Sequence, residues 1–111
     1  MALTQLNGPI IEAGQSLSAG LDCTQGKIVR IYTPAAWTAA NITFQISFDN
    51  VTYRDLLERG GGEITAAVVP NSAIILQQAN QQLAFIKIRS GTRAAPIVQT
   101  AQRIFLTTIE K

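Results

Sequence analysis

Apolar and small polar residues alternate strictly along residues 42–48, which read Ile-Thr-Phe-Gln-Ile-Ser-Phe. Successive side chains of a β-strand point to opposite faces of its sheet, so this pattern predicts a strand with one buried face and one polar face. Asp49 and Asn50 end the alternation, because both residue types tolerate turn geometry and hydrogen-bond their own backbone. From Val51 to Tyr53 the residue types again favour an extended backbone. Residues 42–56 therefore predict a β-hairpin or a tight corner.

The same alternation, or a short apolar run, recurs in segments 16–23, 27–32, 63–69, 73–76, 85–89 and 103–109. In the first of these segments the alternation places Cys23 on the core face. In the second it places Val29 and Ile31 on one face and Arg30 on the other. With the hairpin, these segments make roughly eight short strands at spacings of about 8–12 residues. That organisation predicts an all-β fold, an antiparallel β-sandwich or jelly roll.

The last two of these segments predict different environments. Ile86 and Ile88 share one face of residues 85–89, which predicts a strand with a single core face. Residues 103–109 carry apolar side chains on both faces, which predicts a strand buried on both sides.

The chain divides into a short leading segment and one domain. Residues 1–15 carry turn formers around a short apolar pair, which predicts an N-terminal arm or edge strand, and residues 16–111 predict a single β-sandwich domain. Pro34 has no N–H for a sheet ladder, so a loop or a single helical turn is expected after it, laying Trp37 over one end of the core. Residues 77–82 predict a polar loop, and no helix of ordinary length is predicted.

Composition favours binding over catalysis. Hydrophobic residues make up 47% and charged residues only 14% of the 111 residues, so we expect a partner to cover part of the surface. The chain has no histidine and one cysteine, which removes the commonest general base and metal ligand and any internal disulfide. The net charge of +2 does not favour nucleic-acid binding. We expect no enzyme activity, no cofactor, no bound metal and no nucleic-acid partner.

The acidic residues do not form a recognised site. Asp49, Asp55 and Glu58 are the densest group, but Val51 and Tyr53 stand where a calcium loop needs oxygen ligands. No pair of carboxylates has a spacing that indicates a glycosidase centre. These residues therefore predict solvated turns.

Basic and aromatic residues are the candidates for partner binding. They are Lys87, Arg89, Arg93 and Arg103, together with Trp37, Phe48 and Tyr53. The basic residues would form one stripe if the last two strands pair, either as a solvated sheet face or as an anchor for an acidic partner surface. The aromatic residues either cap the core or line a sugar-binding groove.

Several segments carry a family resemblance. Residues 34–53 read Pro-Ala-Ala-Trp-Thr-Ala-Ala-Asn-Ile-Thr-Phe-Gln-Ile-Ser-Phe-Asp-Asn-Val-Thr-Tyr, and residues 85–92 read Phe-Ile-Lys-Ile-Arg-Ser-Gly-Thr. With Ala-Pro-Ile-Val-Gln at 95–99 and Arg-Ile-Phe-Leu at 103–106, they resemble small structural proteins encoded among the virion genes of tailed bacteriophages. The same segments are more loosely similar to discoidin-like jelly rolls, in which a Ser-Asp-Gly turn follows one strand. Here Phe48 is an extra residue in that turn, and Asn50 stands where the pattern has glycine.

The phage resemblance implies a capsid decoration or cement protein. Such a protein binds the outer head shell, bridges subunits of the major capsid protein and self-associates as a trimer or dimer. We expect synthesis in the host cytoplasm and a final location on the capsid surface of the virion, with no membrane partner, since no signal-peptide pattern or membrane-length apolar stretch occurs. The alternative is a tail or head-spike module that recognises host surface glycans through Trp37, Phe48 or Tyr53.

Overall fold

The computed structural model describes residues 2–75 and 83–111. Within these residues the chain forms strands and no helix. The strands are β1 (Leu3–Ile11), β2 (Leu21–Asp22), β3 (Lys27–Tyr32), β4 (Ile42–Ser47), β5 (Arg54–Asp55), β6 (Ala73–Ile74), β7 (Phe85–Ser90) and β8 (Arg103–Glu110). This part of the chain accordingly has no helix long and apolar enough to cross a membrane.

The strands form two four-stranded antiparallel sheets with interleaved connections. One sheet has the order β1-β8-β3-β6 and the other β2-β7-β4-β5, so most successive strands lie in opposite sheets. This is the strand order of a jelly roll. The predicted all-β sandwich is confirmed, and so is the hairpin, because β4 and β5 pair directly.

The core lies between the two sheets. Its fully buried apolar side chains include Ile11, Cys23, Ile28, Ile31, Ile42, Ile88 and Phe105. The prediction that Val29 and Ile31 share a face is wrong, because the pairing of β3 with β8 shifts register between Ile28 and Arg30. The extra residue at this irregularity lets Ile28 and Ile31, three positions apart, both reach the core.

Three other predicted segments differ from the structure. Residues 63–69 form no regular strand, and only Glu63 and Ala66 make isolated bridges, to Leu57 and Ile42. Residues 16–23 are not one continuous strand: Leu17 forms an isolated bridge, and only Leu21–Asp22 pair regularly with β7. β8 is not buried along the whole of both faces: Phe105 and Ile109 on one face are inaccessible, whereas on the opposite face Thr108 is buried but Ile104 is 45% exposed.

The N-terminal segment belongs to the sandwich as an edge strand. β1 pairs with β8 from Leu3 to Ile11, with a register shift between Asn7 and Ile10. The loop after Pro34 contains no helical turn, and its Trp37 ring lies edge-on against Phe105, with the ring centroids 5.4 Å apart. The prediction that Trp37 covers the core is confirmed. The predicted loop at 77–82 lies outside the described residues.

Candidate docking surface

The turn between β4 and β5 is held by side chains of its own residues. The Ser47 hydroxyl accepts hydrogen bonds from the backbone N–H groups of Asp49 at 3.2 Å and Asn50 at 2.9 Å. The Asp49 carboxylate accepts bonds from the backbone N–H groups of Val51 at 2.9 Å and Thr52 at 3.0 Å, and from the Ser47 hydroxyl at 2.8 Å. These bonds lower the pKa of Asp49, those from Val51 and Thr52 most strongly. Residues 48–52, the docking turn, therefore have a defined backbone before any partner arrives.

A second set of contacts fixes the docking turn to the body of the sandwich. Asn50 adopts a left-handed backbone with φ of 61°, which asparagine tolerates well. The Tyr53 hydroxyl donates a hydrogen bond to the Asn50 side-chain oxygen, and the Lys87 ammonium lies 4.3 Å from the centroid of the Tyr53 ring. The Tyr53 hydroxyl and the Asn50 side-chain oxygen pack so closely on Gly20 that a Cβ atom at Gly20 would collide with them. Partial burial raises the pKa of Tyr53, which keeps its hydroxyl a donor at neutral pH.

The apolar residues of this well-braced turn point into solvent. Phe48 is 85% exposed and Val51 is 81% exposed. A lone exposed apolar residue needs no explanation, but two of them on one rigid turn form a raised apolar tip. Such a tip loses little conformational freedom on binding.

An apolar groove adjoins this tip. It has a volume of about 500 Å³, and its apolar lining consists of Ile46, Phe48, Leu56, Leu57, Leu83 and Ala84. Leu57 is 48% exposed. The docking turn and this groove together are the docking surface.

The predicted basic stripe does not form. β7 pairs with β2 and β4, and β8 pairs with β1 and β3, so the last two strands lie in different sheets. Lys87 and Arg103 are therefore in different sheets.

Arg89 is an internal residue. It is only 7% exposed, and its guanidinium donates to the Asp55 carboxylate at 3.0 Å, to the Glu63 carboxylate at 2.5 Å and to the Thr43 hydroxyl at 3.0 Å. Arg93, with a 78% exposed side chain, approaches Asp55 at 3.4 Å, and its backbone N–H donates to Glu63. This Arg89 cluster ties the loops after β5 and β7 to the sheet. The two carboxylates that come together are thus bound to a guanidinium.

Arg103 belongs to a second internal cluster, centred on the fully buried Gln99. The Gln99 side-chain oxygen accepts from the Thr38 N–H at 2.9 Å and from Arg103 Nε at 3.0 Å. The Gln99 side-chain nitrogen donates to the Thr38 carbonyl at 3.0 Å and to the Ser90 hydroxyl at 2.8 Å. Gln99 therefore links the loops that follow β3 and β7. Sequence reasoning missed this residue, because a glutamine within a polar loop carries no pattern.

The remaining aromatic candidate, Trp37, is not a free binding platform. Its indole N–H donates to the Ala40 carbonyl at 2.9 Å, and its ring is half-buried against Phe105. Of the three aromatic candidates, Phe48 is the one that presents its ring to solvent.

A second concavity, more polar than the groove, lies on the outer face of the β2-β7-β4-β5 sheet. It has a volume of about 560 Å³ and is lined by Gln45, Tyr53, Arg54, Asp55, Leu57, Arg89 and Arg93. Arg54 and Arg93 are exposed beside it. It presents several hydrogen-bond donors around one aromatic ring.

Cys23 and the acidic residues are the remaining candidates for reactive or metal-binding groups. Burial raises the pKa of the Cys23 thiol to about 12, so the thiol stays protonated at neutral pH and packs as a small apolar side chain. Across residues 2–75 and 83–111, no three Cys, Asp or Glu side chains come close enough to hold a metal ion.

A scan against models of known protein families finds no match, and a search of curated proteins also finds none.

Proposed function

We propose that the protein is a structural component of a tailed-phage virion, a decoration protein that binds the outer head shell and bridges major capsid protein subunits. The observation that carries this proposal is the docking turn, which holds Phe48 and Val51 in solvent on a backbone fixed by its own side chains. We infer the partner, the major capsid protein, from the resemblance of the segments that contain this turn to phage virion proteins. The jelly-roll fold is compatible with such a role, since viral capsid proteins are among the proteins that use it.

The energetics of the docking surface suit repeated weak contacts. Burying an aromatic side chain such as Phe48 contributes about 1.5–3 kcal/mol. That amount is too small for a stable complex by itself, but a shell repeats the same site many times. Copies that associate with one another then engage several sites at once, which multiplies their affinity without any new contact.

The arrangement of polar groups supports binding rather than catalysis. Arg89 forms ion pairs with both Asp55 and Glu63, and Gln99 is saturated by backbone and side-chain partners. Both clusters hold loops in place. The docking turn is held separately, by the bonds of Ser47 and Asp49 to its own backbone.

The test uses empty heads, depleted of this protein, from the phage whose virion genes encode it. Wild-type protein and a Phe48→Ser variant are titrated onto the heads, and the bound fraction and the melting temperature of the shell are measured. We expect wild-type protein to raise the melting temperature. Phe48→Ser should bind about 10-fold to 100-fold more weakly, since about 1.4 kcal/mol corresponds to a factor of ten.

The control is Val69→Ser. Val69 is 62% exposed and lies beside Thr33, outside the docking surface. The Val69→Ser variant should bind the heads as tightly as wild-type protein. The proposal would be refuted if the Phe48→Ser variant bound the heads as tightly as wild type. It would also be refuted if the melting temperature of the shell did not change when wild-type protein bound.

A second candidate function is recognition of host surface glycans from a tail or head spike. The polar concavity favours it, because Arg54, Arg93 and Gln45 offer donors to hydroxyl groups beside the Tyr53 ring. Selective signals on a glycan array that disappear in Arg54→Ala and persist in Phe48→Ser would support this function. Trp37→Ala is unsuitable as a test, since Trp37 packs on the core and its loss would disturb folding.

A further inference from the structure

Among residues 2–75 and 83–111, no strand pairs with the outer edge of β1. The register shows which backbone groups point outward along this edge. The Lys111 N–H donates to the Ala2 carbonyl at 3.1 Å, which makes Ala2 and Lys111 a hydrogen-bonded pair. Such pairs alternate along an antiparallel ladder, so Thr4 and Leu6 also bond to β8. The backbone N–H and C=O groups of the intervening residues 3, 5 and 7 then point away from β8, to the outside.

This outward edge lacks the usual protection against pairing. Natural edge strands carry charged residues, prolines or bulges that discourage another strand from docking. Residues 3–7 read Leu-Thr-Gln-Leu-Asn, with no charge and no proline, and Leu3, Gln5 and Asn7 are all exposed. The register shift and Pro9 follow only after Asn7. The open edge is thus limited to residues 3–7.

We propose that two copies of this chain associate through this edge, with the two β1 strands antiparallel about a two-fold axis at Gln5. This register places Leu3 of each copy opposite Asn7 of the other and uses all three outward positions. Registers shifted by one pair in either direction use only two. Each facing pair exchanges two backbone hydrogen bonds, about six in all. The result is one continuous eight-stranded sheet across the dimer.

The outward residues of the edge carry no charge, so no like charges face one another when a second copy pairs in this orientation. Glu110 is the β8 partner of Leu3 and is paired in turn with Lys27, whereas Asn7 lies beside the uncharged Leu106. The antiparallel arrangement puts the charged end of each copy against the uncharged end of the other. The self-pairing is also isologous, which closes the assembly at two copies.

The experiment measures the association state of the full chain by sedimentation equilibrium and native mass spectrometry. In the proposed dimer the Cβ atoms of the two Gln5 residues lie about 5 Å apart on the axis. Gln5→Lys and Gln5→Glu each place like charges there, so each variant alone should dissociate at least ten times more readily than wild type. Mixed in equal amounts, they should form a heterodimer of wild-type affinity or better.

Two further variants separate pairing from folding. Gln5→Pro removes an outward N–H and should abolish the dimer while leaving the melting temperature of the monomer nearly unchanged. Gln5→Thr keeps the N–H and should remain dimeric. A wild-type chain that stays monomeric at about 0.5 mM, where weak pairing with a Kd near 0.1 mM would be plain, would overturn the proposal. So would lysine and glutamate variants that dimerise like wild type.

Discussion

Replacing Arg89 is the most informative perturbation of the fold, because its side chain joins three partners from separate parts of the chain. In Arg89→Ala the Asp55 and Glu63 carboxylates, whose side chains are 14% and 22% exposed, lose their buried counter-charge. Removing one partner of a buried ion pair costs about 3–5 kcal/mol. The partial exposure of the two carboxylates lets water replace some of the lost interaction, which places the expected loss near the lower limit, at about 3 kcal/mol.

The assay is equilibrium unfolding in urea, followed by Trp37 fluorescence, since the Trp37 ring packs on the core. For a small domain the free energy of unfolding falls by about 1–3 kcal/mol per molar urea, so the midpoint of Arg89→Ala should fall by about 1–3 M. Arg89→Lys keeps the charge but cannot reach all three partners, and it should lie between Arg89→Ala and wild type.

Arg93→Ala is the matched control. Its side chain is 78% exposed and 3.4 Å from Asp55, so its loss should cost less than about 1 kcal/mol. A loss below about 1 kcal/mol for Arg89→Ala, or equal losses for the two arginine variants, would refute the view that the Arg89 cluster holds these loops.

Two other perturbations address the loops and the core. Gln99→Ala leaves the Thr38 backbone and the Ser90 hydroxyl without their partner, so we expect the free energy of unfolding to fall by about 2–3 kcal/mol in the same urea assay, and a change below about 0.5 kcal/mol would contradict the loop-linking role. Cys23 should resist thiol reagents in the native protein at pH 8. Because its pKa is raised from 9.0 to about 12 on folding, the native state holds the thiol proton more tightly, and stability should decline as the pH rises above 9. Cys23→Ala should show a smaller decline between pH 9 and 11, and identical pH profiles for the two proteins would count against burial of this thiol.

The sequence predicts this architecture well where local pattern decides it. The alternation in β4 and the Asp49-Asn50 turn are local signals, and the predicted strand and turn are both present. The faces of β4 differ from the prediction, because Thr43 and Ser47 on the polar face are also buried, whereas Phe48 at the end of the apolar face is 85% exposed. The register shift in β3 has no such signal, because it depends on how β3 pairs with β8, some 80 positions along the chain. As a result, the alternation alone predicts the wrong face for Val29.

The candidate site could be predicted only in part. The aromatic residue type makes Phe48 a candidate for binding, but the burial of Arg89 depends on acidic partners 34 and 26 residues away in sequence. Gln99 and Thr38 are 61 residues apart. Such contacts arise from the jelly-roll connections, which bring distant loops to one end of the sandwich, and no local pattern encodes them.

An averaged cryo-electron map of the intact particle tests the proposed function most directly. The proposal predicts density for this chain on the outer head shell, with the Phe48 and Val51 side chains of the docking turn buried against a capsid subunit. Density confined to the tail or a spike tip, or a head-bound chain whose docking turn faces solvent, would contradict it.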